Sequence, residues 1–208
     1  MKSEMKPNMK QNFMNLAAVV AFSAAGIAMG QQKIDAAKSM VKWEGEKRIV
    51  GGHQGTINIK AADLSFDLKG EPVSGKIVMD LKSIVVTDKD LADDKKGALK
   101  GHLESKDFFE VEKFPEATYV AKKFTKVAGQ KLKYTVDGDM TIKGITNAQK
   151  IAMEIKTDKT GNSTVVGELD FDRTLYNVMY SSGKLADTAK DKMIKDEVAL
   201  DIHLALIK

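Results

Sequence analysis

The sequence predicts a mainly all-β fold: a closed antiparallel barrel of about eight strands with short helices covering one end. Three observations carry the β assignment. Apolar and polar residues alternate with period two along most of the chain from about residue 39 onward. Short turns rich in Gly, Asn and Asp separate the alternating runs. The last run, Val198 to Leu206, is too long and too regular to be left as an unpaired edge. An antiparallel sheet with one solvated face produces such alternation, whereas a parallel sheet covered on both faces reads as continuous apolar runs. A sandwich satisfies the first two observations, and the third tips the reading toward closure.

Taken in order, Val41 and Trp43 alternate with Lys42 and Glu44. Ile57 and Ile59 follow the glycines at 51, 52 and 55, and Leu64, Phe66 and Leu68 lead into the turn Lys69-Gly70-Glu71-Pro72. Val73, Gly75, Ile77 and Met79 form the next inward row. After a break come Tyr119 to Phe124, then Leu132 to Ile142 with Gly138 inside the run. A turn at Thr146-Asn147 leads to Ile151, Met153 and Ile155, and then Val165, Leu169 and Phe171. Two segments lack the alternation. Asp88 to Lys113 carries Leu91, Leu99, Leu103, Phe108 and Phe109 at helical spacing, which predicts short helices. Tyr176 to Lys195 has no clear period and reads as a long connection, of the kind that usually serves a function.

The N-terminus differs from the rest. Lys2, Lys6 and Lys10 precede the uncharged run Leu16 to Met29, and Ala28-Met29-Gly30 places small residues before a cleavage point. That order of basic, apolar and small predicts a signal peptide over residues 1–30 and a mature domain over 31–208. The apolar run of 14 residues is shorter than the roughly 20 a spanning helix needs, so no integral membrane span is expected after cleavage. Removing the three Lys and one Glu of this segment takes the formal charge from +4 to +2. With two arginines and no basic stripe, nucleic-acid recognition is not expected. Cysteine is absent, which excludes disulfides, thiolate metal sites and lipid attachment at a new N-terminal Cys. The expected location is the periplasm or the extracellular space.

Candidate site residues fall into three groups. Inward strand positions (Trp43, Ile57, Phe66, Ile77, Met79, Met140, Phe171) either fill the barrel as solid core or line a cavity, and the pattern alone leaves both open. The stretch His102 to Tyr119 gathers Phe108, Phe109, Phe114 and Tyr119, four of the twelve Phe and Tyr residues, beside His102. Burying one Phe contributes roughly 1.5–3 kcal/mol, so this cluster plugs a barrel end, contacts a greasy ligand, or both. Arg173 either anchors a head group or pairs with Asp170, Asp172 or Glu197. His53, His102 and His203 stand at no metal-ligand spacing. No nucleophile elbow or phosphate loop is present, so no catalytic residue, metal or cofactor is expected.

A series of motifs in one order resembles the YceI-like family of exported, lipocalin-like, lipid-binding barrels. They are Gly55-Thr56-Ile57, Gly75 to Ile84, Gly101 to Phe109, Phe114-Pro115-Glu116-Ala117-Thr118, Gly138 to Thr146, Phe171-Asp172-Arg173-Thr174 and Ile194 to Val198. The resemblance implies a barrel whose inner face forms an elongated apolar tunnel holding a polyisoprenoid or similar lipid. On that basis the chain is expected to carry or sequester a long-chain lipid (isoprenoid, quinone or fatty-acid derivative) without catalysis. The thirteen residues named above are its expected ligand contacts. The alternative is a structural or surface-interaction module with a filled barrel. Whether two barrels pair as a homodimer stays open.

Overall fold

The computed structural model describes residues 30–186 and 188–207. Its eight strands are β1 (Gln31–Lys47), β2 (Gly52–Phe66), β3 (Pro72–Val86), β4 (Glu116–Lys126), β5 (Lys133–Ile142), β6 (Ile145–Thr157), β7 (Ser163–Asp172) and β8 (Ile194–Leu206). Each pairs antiparallel with the next, and β8 pairs with β1 to close the barrel. Closure gives the final strand the partner its alternation demanded. The signal peptide expected over residues 1–30 lies outside the described residues except for Gly30.

All up-and-down connections of one kind meet at one end. There the β3–β4 connection carries the helix α1 (Asp93–Glu104), and the β7–β8 connection carries 3-10 turns at Arg173–Tyr176 and Lys190–Lys192. Both segments that lacked alternation therefore sit over the same barrel mouth. The β2–β3, β4–β5 and β6–β7 turns form the opposite end. Among the described residues no helix is long and apolar enough to cross a membrane.

The long strands bend through bulges, which explains shifts in the inward row that strict alternation forbids. On β2 the row passes from Ile57 and Ile59 to Leu64 because Ile59 faces Met79 while Ala61 faces Val78. On β3 it passes from Leu81 to Ile84 because Thr56 faces Val85 and Asn58 faces Asp80. Ser83 stitches this bulge: its hydroxyl accepts from the Asn58 N–H (2.8 Å) and donates to the Asp80 carbonyl (2.6 Å). Ser39 does the same on β1, accepting from Ala205 N–H (2.9 Å) and donating to the Asp35 carbonyl (2.7 Å).

One predicted turn moves. The chain reverses at Lys143-Gly144, three residues before Asn147, because both residues take positive φ (51° and 72°), the backbone a two-residue hairpin requires. Leu68 and Val73, read as strand residues of inward rows, are exposed beside the β2–β3 turn, where Pro72 takes the buried place. The helix is also shorter than the charge-rich segment. It ends where the Ser105 N–H and hydroxyl both donate to the His102 carbonyl, and Glu110, at φ 49°, turns the chain back toward β4.

Candidate functional site

Inside the barrel the inward rows do not close into solid packing; they leave two apolar chambers with separate linings. The chamber under the helical cover leaves about 90 Å³ for the centres of water-sized atoms, and the chamber at the opposite end about 40 Å³. A single water needs roughly 10–15 Å³ by this measure, so each has room for several carbon groups. Arg173 is the sole ionisable residue lining the covered chamber, while Asp63 and the exposed Lys76 line the far one.

The two long connections build the cover together. Leu103 on α1, and Phe108 and Phe109 just after it, reach the covered chamber from the β3–β4 side, and Val178 reaches it from the β7–β8 side. Their outer layer is aromatic. His102 stands edge-on to Phe108 (5.0 Å) and Tyr180 (4.5 Å), and Phe108 meets Tyr180 at 5.4 Å. The His102 Nε2 lies 3.2 Å from Asp107 Oδ2, which orients the ring. Lys100 ties the helix to the barrel by donating to the carbonyls of Ile84 (3.0 Å) and Lys82 (3.2 Å).

Two glycines let aromatic rings lie against the wall. Trp43 faces Gly55 across the β1–β2 ladder, and a Cβ at Gly55 would stand 2.5 Å from its Cζ2. Tyr119 lies over Gly138, where a Cβ would meet its Cζ at 2.5 Å, and its hydroxyl donates to the Val136 carbonyl (2.9 Å). On β3, β4 and β8 the two linings meet at successive inward residues: Met79 and Ile77, Ala117 and Tyr119, Leu200 and Ile202. The buried residues Val41, Ile59 and Leu169 belong to neither lining and complete the partition. It consists of side chains, not backbone.

Arg173 is 2% exposed and spends its whole guanidinium on the protein. Nε donates to Lys195 O (3.1 Å), Nη1 to Val178 O and Tyr180 O (both 2.9 Å), and Nη2 to Ile194 O (3.3 Å) and Asp196 Oδ1 (3.4 Å). These five bonds match its five N–H groups. Burial lowers its pKa from the ordinary value, and the carboxylates of Asp196 and Asp172 oppose that shift. The side chain thus fastens the β7–β8 connection over the chamber, and its ion-pair partner is Asp196 (the residues weighed from sequence were Asp170, Asp172 and Glu197).

Of the thirteen expected contacts, the covered chamber collects Trp43, Ile57, Met79, Phe108, Phe109, Met140, Phe171 and Arg173. The far chamber takes Ile77 and Tyr119. Phe66, His102 and Phe114 stand outside both linings. Phe66 packs half-buried at the end of β2, and Phe114 lies under the Lys113 ammonium and against Gly144. Sequence reasoning missed Leu81 and Ile84, which the β3 bulge turns inward, Val178, which comes from a connection without periodicity, and Ile194, the first residue of β8. Among the described residues no cluster of three His, Asp or Glu is placed to hold a metal ion.

The far end is held by a charged clasp with a consequence for alkaline stability. Glu71 accepts from Lys126 (2.5 Å) and from the Tyr134 hydroxyl (2.7 Å). Burial first, then the bond to Glu71, pushes the Tyr134 phenol from 10.0 up to about 12. Because the folded value lies above the ordinary one, this contribution is fully present below pH 10 and is lost as pH rises through about 12. Chemical-denaturation midpoints are therefore expected to fall across that window, and Tyr134→Phe to flatten part of the fall. An equal fall in the variant contradicts the assignment.

The family model described as the YceI-like domain matches residues 32–206. A UPF0312 protein of Pseudomonas putida strain W619 is 31% identical over 141 residues, 66% of this chain and 69% of its own length. A UPF0312 protein of Photorhabdus laumondii is 47% identical, but over 45 residues, 22% of each chain. Among solved structures, BcnA of Burkholderia cenocepacia superposes with a TM-score of 0.64 at 25% identity, covering 83% of this chain and 98% of its own. A polyisoprenoid-binding domain from Saccharophagus degradans superposes at 0.56 with 16% identity, covering 84% and 97%, a likeness of fold alone. The family match runs from the first strand of the closed barrel to the last, through both connections of its cover: the chain belongs to the YceI-like family.

Proposed function

We propose that this protein is an exported, non-enzymatic carrier that holds a long-chain apolar lipid (an isoprenoid, a quinone or a fatty-acid derivative) inside the barrel, in the periplasm or outside the cell. The observation that carries the reading is the covered chamber: a cavity walled by carbon, whose one charged side chain has every donor occupied. A void of this kind stays dry, and its wall atoms lack dispersion partners on one side. Apolar matter entering it restores those contacts and removes its own surface from water, at about 25 cal/mol per Å². A long chain needs both chambers joined end to end, so the side chains between the two linings must move aside as it enters. The Saccharophagus degradans relative, described as polyisoprenoid-binding, supports the ligand class. The basic, apolar and small-residue order of residues 1–30 supports export.

A filled barrel acting through its surface would have no use for a dry chamber beneath a two-part aromatic cover. Ala117 tests the carrier directly, because it is buried, faces Met79 across β3–β4 and lines the covered chamber. Ala117→Phe is expected to place a ring in the void and weaken uptake of geranylgeraniol by about tenfold or more while circular dichroism stays that of the barrel. Unchanged uptake in a folded variant argues against an interior site.

A further inference from the structure

We infer that Trp43 selects the polar end of the ligand: its indole Nε1–H donates to a neutral acceptor oxygen (carbonyl, ether or hydroxyl) carried by the lipid in the covered chamber. This rests on the carrier reading above and adds to it the chemistry of the ligand's head.

Trp43 is 8% exposed and lines the covered chamber. Its Nε1 is the one buried side-chain nitrogen or oxygen, among the described residues, that has no hydrogen-bond partner. The exception does not reflect a poorly satisfied interior. Ser39 bonds to Asp35 and Ala205, Ser182 accepts from Lys184 N–H (3.1 Å), and Arg173 uses all five donors. Native proteins rarely leave such a donor unpaired, and the exceptions call for a functional reason.

The indole is also held where it is. Trp43 stands between Gly55 on β2 and Leu200 on β8, and the close approach to Gly55 fixes the ring against the wall. The register thus holds the side chain that carries this unpaired donor in the wall of the covered chamber.

The chemistry of the head group follows from what the chamber offers. An indole N–H is a neutral donor with no acceptor capacity. The chamber has no free cation, because Arg173 is committed to four carbonyls and Asp196. A phosphate or carboxylate brought there would lose its hydration without gaining a counter-charge. A pure hydrocarbon would leave the donor unsatisfied. A neutral oxygen satisfies it and carries no charge to desolvate.

Trp43 is the only tryptophan, so a single indole N–H resonance reports on it in ¹⁵N-labelled protein. The probes are geranylgeranylacetone, the matching hydrocarbon with CH2 in place of the carbonyl, and geranylgeranyl phosphate. The ketone is expected to bind about tenfold tighter than the hydrocarbon, since one buried donor gains its partner. The indole proton is expected to shift downfield with the ketone and not with the hydrocarbon. Trp43→Phe is expected to erase the preference, so that ketone and hydrocarbon bind the variant with affinities within about twofold of each other. Equal affinities for ketone and hydrocarbon in the wild type, a preference that survives in the variant, or tightest binding of the phosphate each overturn the role of Trp43 and leave the carrier reading standing. Binding of none of the three overturns the carrier reading, and this inference with it. If Trp43→Phe does not fold, the indole shift in the wild type decides: an unmoved resonance on ketone binding overturns the assignment.

Discussion

Arg173→Ala is expected to destabilise the protein by about 3–5 kcal/mol, the usual penalty for breaking a buried ion pair from one side. The guanidinium bonds the carbonyls of Val178, Tyr180, Ile194 and Lys195, and its removal leaves them and Asp196 without that donor under the cover. For a chain of this size 1 kcal/mol moves the melting temperature by roughly 2–4 °C, so a drop on the order of 10 °C follows. The loss is local before it is global. Val178 and Ile194 line the covered chamber, so hydrogen exchange is expected to rise first in the β7–β8 connection. Arg173→Lys recovers only part, because an ammonium offers three donors in place of a five-donor fork. A thermal melt unchanged in Arg173→Ala would show that the connection is held by something else.

Gly55→Ala is expected to be comparably severe for a steric reason. The added Cβ would fall 1.9 Å from the Val85 carbonyl oxygen, 2.5 Å from Trp43 Cζ2 and 2.6 Å from Trp43 Cε2. The indole can shift, but Val85 is backbone in the ladder that pairs Gly55 with Val86, and it yields only if the β2–β3 register opens. Overpacking a well-filled site costs typically 1–3 kcal/mol, and a backbone clash places this case at about 3 kcal/mol or above. Chemical denaturation measures the loss, and the emission of Trp43 is expected to report a more solvated ring. A variant with wild-type stability and emission contradicts this close packing of Gly55 on Trp43 and Val85.

Alternation made the barrel legible, because a sheet with a dry inside and a wet outside imposes period two on every strand. It showed Trp43, Ile57, Met79, Met140 and Phe171 as inward residues, and the structure brings these five together in one chamber. The same rule fails where the pairing slips. Leu81 and Ile84 have opposite parity yet share the chamber, because three extra residues of β3 bulge out and Ser83 closes the gap. Nothing in the apolar pattern marks such a bulge; the signal lies in a small hydroxyl residue between two runs of different parity. The first half of β1 also escaped, since Gln31 to Lys38 is polar and small apart from Ile34 and closes the barrel through backbone pairing with Asp63 to Ser65 and Ala205 to Leu206.

The cover was legible as two non-alternating segments but not as one structure. Helical spacing of Leu99 and Leu103 pointed to α1, yet the contact of His102 and Phe108 with Tyr180 joins residues more than seventy positions apart. The partner of Arg173 was misplaced for a related reason. Asp172 is its sequence neighbour, but the Asp172 carboxylate caps the following turn through the Thr174 N–H (2.8 Å) and pairs with Lys184 (2.7 Å). Asp196, at the start of β8, is the carboxylate that closing the barrel brings within reach.

Lipid held in the interior separates a carrier from a barrel that acts through its surface. Protein purified without detergent from the cells that produce it, extracted with organic solvent and analysed by mass spectrometry, is expected to release a long-chain isoprenoid, quinone or fatty-acid derivative in near-stoichiometric amount. The released species is expected to carry a neutral oxygen at one end and no phosphate. A clean extract, together with no uptake of isoprenoids or fatty acids offered to the emptied protein, would contradict the carrier and leave a barrel that acts through its surface.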